Sequence, residues 1–216
     1  MRRGALLSLV TVLELDHVFC IVADPGEAAR RLEGDGWVLD AGQAHRGQGT
    51  RNRRLLWSGQ FFELVWITDV GEARANPLRL DRRADWATTG ASPFGLAFRG
   101  RITPARSRSF GSTTHSDRAS GFIATTSGSR NDPWCSCSKS RGEEMGQRRR
   151  RADGSMVAHR QPGELREVRV HGPSAPSLPP FAGPPIVYMP GPPALELVVG
   201  TQARARSVSD ALAIVW

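Results

Sequence analysis

The stretch LELDHVFCIVADPGEAARRLEGDGW, from Leu13 to Trp37, decides how this chain is read. Its opening, within Val12 to Val22, is short and rich in β-branched and aromatic residues, and Asp24-Pro25-Gly26 bounds it, so it reads as a strand. Successive side chains of a strand point to opposite faces. Leu13, Leu15, His17, Phe19 and Ile21 are therefore expected on one face, apolar except for the histidine. Asp24 then offers a side-chain oxygen to the free amides of a helix, Pro25 suits the first helical position, and Glu27 sits where a capping-box acid reaches back. Ala28, Ala29 and Leu32 form an apolar stripe, and Gly34 and Gly36 close the helix.

Outward from this unit, Trp37 to Leu39 is a short strand candidate, and Gly42 to Asn52 is a polar, glycine-rich connection. Arg53 to Trp57 and Phe61 to Ile67 are strands joined by Ser58-Gly59-Gln60, a connection of hairpin length. The order is strand, helix, strand, strand, strand. Asp69 to Asp85 is polar and irregular, with one short helix expected around Gly71 to Asn76, and Pro93 to Arg99 is a further strand. Between Arg101 and Arg151 the character changes: ten serines and ten arginines, WCSCSKS and RRRR, and no sustained period of 2 or 3.6. Such a composition buries too little apolar surface to offset ordering entropy. Regular patterning returns with a strand at Leu165 to Val170 and a proline-rich run to Pro185. Ile186 to Met189 and Ala194 to Val199 read as a second hairpin around Pro190-Gly191-Pro192-Pro193, and Ser207 to Trp216 as a short helix or strand. The two hairpins match: each second strand carries a glutamate among apolar residues, Glu63 in FELV and Glu196 in LELV, as duplicated modules would.

Composition narrows the function classes. The 216 residues are enough for one domain or two small modules sharing a sheet. Net charge is +8, yet Lys139 is the only lysine, so the basicity reads as a coding bias and a nucleic-acid partner is not expected. An odd set of cysteines, Cys20, Cys135 and Cys137, argues against a disulfide framework and fits the cytoplasm. The opening MRRGALLSLVTVL has the length of a signal peptide but no small-residue cleavage site, and it runs into the first strand; no membrane partner is expected.

LDHVF at Leu15 to Phe19, the capped helix, HRGQGTRN at His45 to Asn52 and FFELVWITD at Phe61 to Asp69 together resemble a glyoxalase-like branch of the vicinal oxygen chelate superfamily. The resemblance implies an α+β fold of paired βαβββ modules, a curved mixed sheet around a cleft. It also implies a divalent metal held by a first-strand histidine and a fourth-strand glutamate of each module. Carried onto this sequence, it gives His17 and Glu63 as one pair and Glu196 as the later glutamate. The second histidine is missing: Gly95 stands in its place if Pro93 to Arg99 opens the second module, and Glu167 if Leu165 to Val170 does. The expected division is a first module with its following strand at 12–99, a serine- and arginine-rich segment at 100–158 that is disordered or translated out of frame, and a partial second module at 159–216.

The site expected from the resemblance holds Fe(II), Mn(II), Zn(II) or Ni(II) on His17, Glu63 and Glu196, with Glu63 and Glu196 also shuttling protons. If an enzyme, the protein would be a metal-dependent lyase, isomerase or dioxygenase of the glyoxalase type. The rival is a metal-free binder of a small molecule in which Trp57, Trp66, His45 and Thr50 line the pocket, the GQGT backbone amides facing an anionic or carbonyl group. A third class is the non-functional product of a disrupted gene. The blander readings stand beside these: His17 as a core histidine, and Glu63 and Glu196 as salt-bridged to an arginine such as Arg53 or Arg54 or facing water. A small-molecule ligand is the expected partner, and a homodimer that completes the sheet between chains is left open.

Overall fold

A computed structural model describes residues 13–99, 161–176, 178, 180–201 and 203–216, with residues 122–123 described for their backbone. The fold is α+β, with two mixed sheets and few helices. The first sheet is built by β1 (Leu13–Ile21), β2 (Gln43–His45), β3 (Thr50–Leu56), β4 (Phe61–Ile67), β5 (Phe94–Arg99), β6 (Phe122–Ile123) and β8 (Phe181–Ala182). Its order is β2-β3-β4-β1-β5-β6, with β8 parallel to the start of β1. The second sheet runs β11-β12-β10-β7-β9, from β7 (Leu165–Gly172), β9 (Ile186–Pro190), β10 (Ala194–Val199), β11 (Ala205–Ser209) and β12 (Leu212–Val215).

The first βαβββ unit follows the sequence closely. The helix α1 (Pro25–Gly34) starts on Asp24, whose Oδ1 accepts from the Glu27 amide at 2.8 Å. Glu27 does not reach back as a capping-box acid; its carboxylate is taken by Arg30 and Arg31 at 2.7 and 2.8 Å. Ala28, Ala29 and Leu32 are buried, as the stripe requires. β4 returns parallel to β1 and antiparallel to β3. The glycine-rich stretch read as a connection is itself a hairpin, with β2 paired to β3 through Gln43↔Asn52 and His45↔Thr50. Trp37 to Leu39 forms only a single bridge, Leu39↔Leu55. The region after β4 holds three short helices: α2 (Val70–Ala75), capped by Asp69, then α3 (Leu80–Ala84) and α4 (Trp86–Thr89).

Two expectations are corrected. Leu13 to Ile21 do not keep one face, because β1 carries a register irregularity between Leu15 and His17 where it pairs with β5. A β-bulge adds one residue and reverses the alternation beyond it. Leu13 and Leu15 therefore share the main core with Val18, Cys20 and Val22, whereas Phe19 and Ile21 join a smaller cluster with Val65 and Leu80. The second correction concerns the later hairpin. β9 and β10 are not paired with each other; they flank β7, β9 parallel and β10 antiparallel. The terminal segment is a strand pair, β11 with β12, rather than a helix.

One apolar core joins both sheets: Leu15, Val18, Leu55, Phe62, Leu64, Phe94 and Leu96 from the first pack in one cluster with Val168, Val170, Leu195, Leu197 and Ile214 from the second. Each such side chain, fully buried, contributes about 1.5–3 kcal/mol. Trp57 lies in this core, and its indole N–H donates to the Gly163 carbonyl at 2.8 Å. Arg206 grips Asp35 at the end of α1 with both carboxylate oxygens, at 2.6 and 2.8 Å. Among the described residues no helix is long and apolar enough to cross a membrane. The serine- and arginine-rich segment lies outside the described residues, save for the β6 backbone pairing with β5.

Candidate functional site

Beyond the bulge, the face of the first sheet that looks away from the main core is polar at its centre. β1 contributes His17, β4 contributes Phe61 and Glu63, β3 contributes Thr50, Asn52 and Arg54, and β2 contributes His45. The pairings Arg54↔Glu63, His45↔Thr50 and His17↔Phe61 bring them side by side. In an antiparallel pair, residues directly opposite share a face.

His17 stacks on the Phe61 ring, centroids 4.5 Å apart and planes 19° from parallel, and its Nδ1 lies 2.9 Å from Asp16 Oδ2. Asp16 is fully buried and also takes a 3.1 Å contact from Arg99. Burial is the strongest influence on His17 and opposes its charge. The hydrogen bond that His17 donates to Asp16 and the negative charges of Glu63 and Asp16 outweigh that burial, together with the opposing charge of Arg54, and raise the imidazole above its ordinary 6.5. His45, whose Nδ1 is 3.1 Å from Thr50 Oγ1, goes the other way. Burial, with the positive charges of Arg54 and His17, holds it below 6.5 against the pull of Glu63. One imidazole of the face thus leans to the cation and the other to the neutral form. Such divergence is a mark of sites that handle protons.

Glu63 Oε1 accepts from Asn52 Nδ2 at 2.8 Å, and Asn52 Oδ1 accepts from the Gln43 amide at 2.9 Å. Neither Arg53 nor Arg54 supplies the expected partner. Arg53 turns to Glu33 and Asp40 O, and Arg54 is bound to the buried Asp40 at 2.9 Å while its guanidinium sits 5.6 Å above the Phe61 ring. Two neighbours of the candidate groups were not legible in the sequence: Asn52, which lies in a glycine-rich stretch that reads as a connection, and Asp16, whose contact with His17 accompanies the irregularity in β1.

The GQGT run does not offer its amides to a ligand. Gly47 N–H and Gly49 N–H both donate to Glu72 Oε2, at 2.9 and 3.0 Å, so the anion cradled there is a side chain of α2. Gly49 is required by conformation and space: its φ is +65°, and a Cβ would come 2.1 Å from Asp69 O. Trp57 is core, not pocket lining. Trp66, half-buried and opposite Arg51, alternates with Val65 and so falls on the other side of β4 from Glu63. Cys20, on the core face, is pushed up to about 12 by burial and is an inert thiol.

Glu196 sits on β10 of the second sheet, where Arg169, itself bound to Glu167, forms an ion pair with it. That is the salt-bridged reading of this glutamate. A histidine at Gly95 would have to displace the Phe19 ring, since even a Cβ there would lie 2.5 Å from it. Among the described residues no three of histidine, cysteine, aspartate and glutamate come together as a metal site would need. The described donors thus do not fit a resident divalent ion: His17 and Glu63 share a face, but Glu196 does not join them.

A crystal structure of a hypothetical protein from Staphylococcus aureus is similar over 94% of this chain and 99% of that one, at 10% identity and a TM-score of 0.41. No curated protein matches the chain. A family model described as a glyoxalase-like domain matches residues 15–178, most of the chain, and the protein therefore belongs to the glyoxalase-like domain family.

Proposed function

We propose that this glyoxalase-like domain binds a small oxygen-rich molecule on the polar face of its first sheet, through His17 and Glu63, without a metal ion as intermediary. The observation that carries the reading is the placement of His17, stacked on the Phe61 ring, and Glu63 on one sheet face. A charged imidazole donates to a carbonyl or deprotonated oxygen, and a carboxylate accepts from a neighbouring hydroxyl. Two adjacent oxygens on one ligand satisfy both at once. Charge-assisted hydrogen bonds of this kind are the stronger ones, more so where the surroundings are partly buried. Asn52 and Asp16 serve as supports, each holding one of the two ligand-facing groups.

The test is isothermal titration of the full chain, treated with EDTA, against catechol, acetoin and pyruvate. The reading expects saturable binding of one of these classes, weakened about tenfold or more in Glu63→Gln, the loss of one hydrogen bond to a charged group. Binding that appears only after a divalent ion is restored would instead favour the metal-dependent reading. Equal binding by the wild type and by Glu63→Gln would remove the site from this face.

A further inference from the structure

At the Ile67 end of the same sheet face, beyond Glu63, the three short helices after β4 border an open surface cavity of about 640 Å³. We infer that this cavity is a separate binding site for a small organic anion, a carboxylate or phosphate head with an apolar tail.

Three guanidinium groups line it, Arg74 from α2, Arg79 from the α2–α3 connection and Arg82 from α3. Arg79 is brought there by a left-handed backbone, φ 49° and ψ 49°, which a residue other than glycine seldom adopts. Its fork grips Asp81 through both carboxylate oxygens, each at 2.9 Å. The cavity therefore already holds one carboxylate in the bidentate geometry that arginine favours. The other two arginines are not consumed in this way. Arg74 is 71% exposed and approaches Asp81 only to 4.0 Å, and the contact of Arg82 is a long 3.5 Å one to Thr89 O. Arginine outnumbers acid around the cavity even after Asp81 and Asp85 are counted.

Apolar surface adjoins the arginines. Val70, the first residue of α2, is apolar yet 55% exposed, and half-buried Ile67 lies beside it. Exposed apolar surface next to unsaturated guanidinium groups complements a molecule with a charged head and a short hydrocarbon body. A neutral molecule would leave the arginines without an anion, and inorganic phosphate would leave the apolar surface wet.

The experiment is isothermal titration of the full chain with hexanoate and with hexyl phosphate, against hexan-1-ol as the neutral control. The expected result is saturable binding of at least one anion and none of the alcohol. The tighter of the two head groups identifies the class of ligand. Arg74→Glu, a change at an exposed side chain outside the core, should weaken binding about tenfold or more, the equivalent of one charge-assisted hydrogen bond. Val70→Ser should weaken hexanoate without weakening acetate. Glu63→Gln should leave anion binding within about twofold, which keeps this site distinct from the His17–Glu63 cluster further along the sheet. Failure of both anions to bind, alcohol binding as tight as theirs, or indifference to Arg74→Glu would overturn the proposal.

Discussion

Asp16 is the residue on which the character of His17 turns. It is fully buried, holds the Nδ1 side of the imidazole at 2.9 Å and shares its other oxygen with Arg99. Asp16→Asn is expected to lower the His17 titration midpoint, followed by imidazole NMR across pH 5 to 9. Because the folded pKa of His17 lies above its unfolded value of 6.5, the stability this charge contributes is complete below that value and is lost as pH rises through the folded one. The stability gap between wild type and Asp16→Asn, measured by urea unfolding, should therefore narrow as pH rises. It should not close, since the negative charge that pairs with Arg99 is also lost. Gly95 is a second single-residue test. Gly95→Ala places a Cβ against the Phe19 ring, which Arg83 covers from above at 5.8 Å, and should cost about 1–3 kcal/mol in thermal or urea denaturation. LDHVF made His17 visible as a candidate, but a simple alternation gave it the wrong neighbours. A bulge depends on how β1 meets β5, which the local pattern does not contain.

At the scale of elements, the β2–β3 turn and α2 behave as one unit. Glu72 takes two amide hydrogens of the turn, Asn76 Nδ2 donates to Gly47 O at 2.7 Å, and the Thr68 and Asp69 amides donate to Gly49 O. Glu72→Ala strands two backbone donors and should cost about 1–3 kcal/mol, with faster amide exchange at Gly47 and Gly49 as the direct readout. The strands and helix of the first unit were legible because each carries its own signal: Asp24 before Pro25, alanines at helical spacing, a hairpin across Ser58 to Gln60. The pairing of β9 and β10 was not, because Pro190 to Pro193 supplies turn chemistry whichever strands it joins. The choice was made by β7, which accepts β9 on one edge and β10 on the other. Glu196 resembled Glu63 in sequence, yet its side chain meets Arg169, and a local motif cannot report that partner.

Across the whole molecule, the two sheets share one core, and Trp57 ties them through its ring and its bond to Gly163. Trp57→Ala should cost about 3–5 kcal/mol and lower both sheets together. Amide exchange at Leu64 and Leu197 would then accelerate in parallel, whereas independent modules would confine the loss to the first. The α+β class and the family were readable from the first 70 or so residues. The division at 100–158 rests on residues outside those described. In the function proposed here, the ligand of this domain meets the first-sheet face directly. The most direct measurement is the NMR titration of the histidine imidazoles in the EDTA-treated protein with whichever of catechol, acetoin and pyruvate binds. The expected result is that the His17 and His45 signals shift with ligand while that of His171, on β7 of the second sheet, stays in place. Movement of His171 alone, or ligand binding that leaves His17 and His45 untouched, would contradict it.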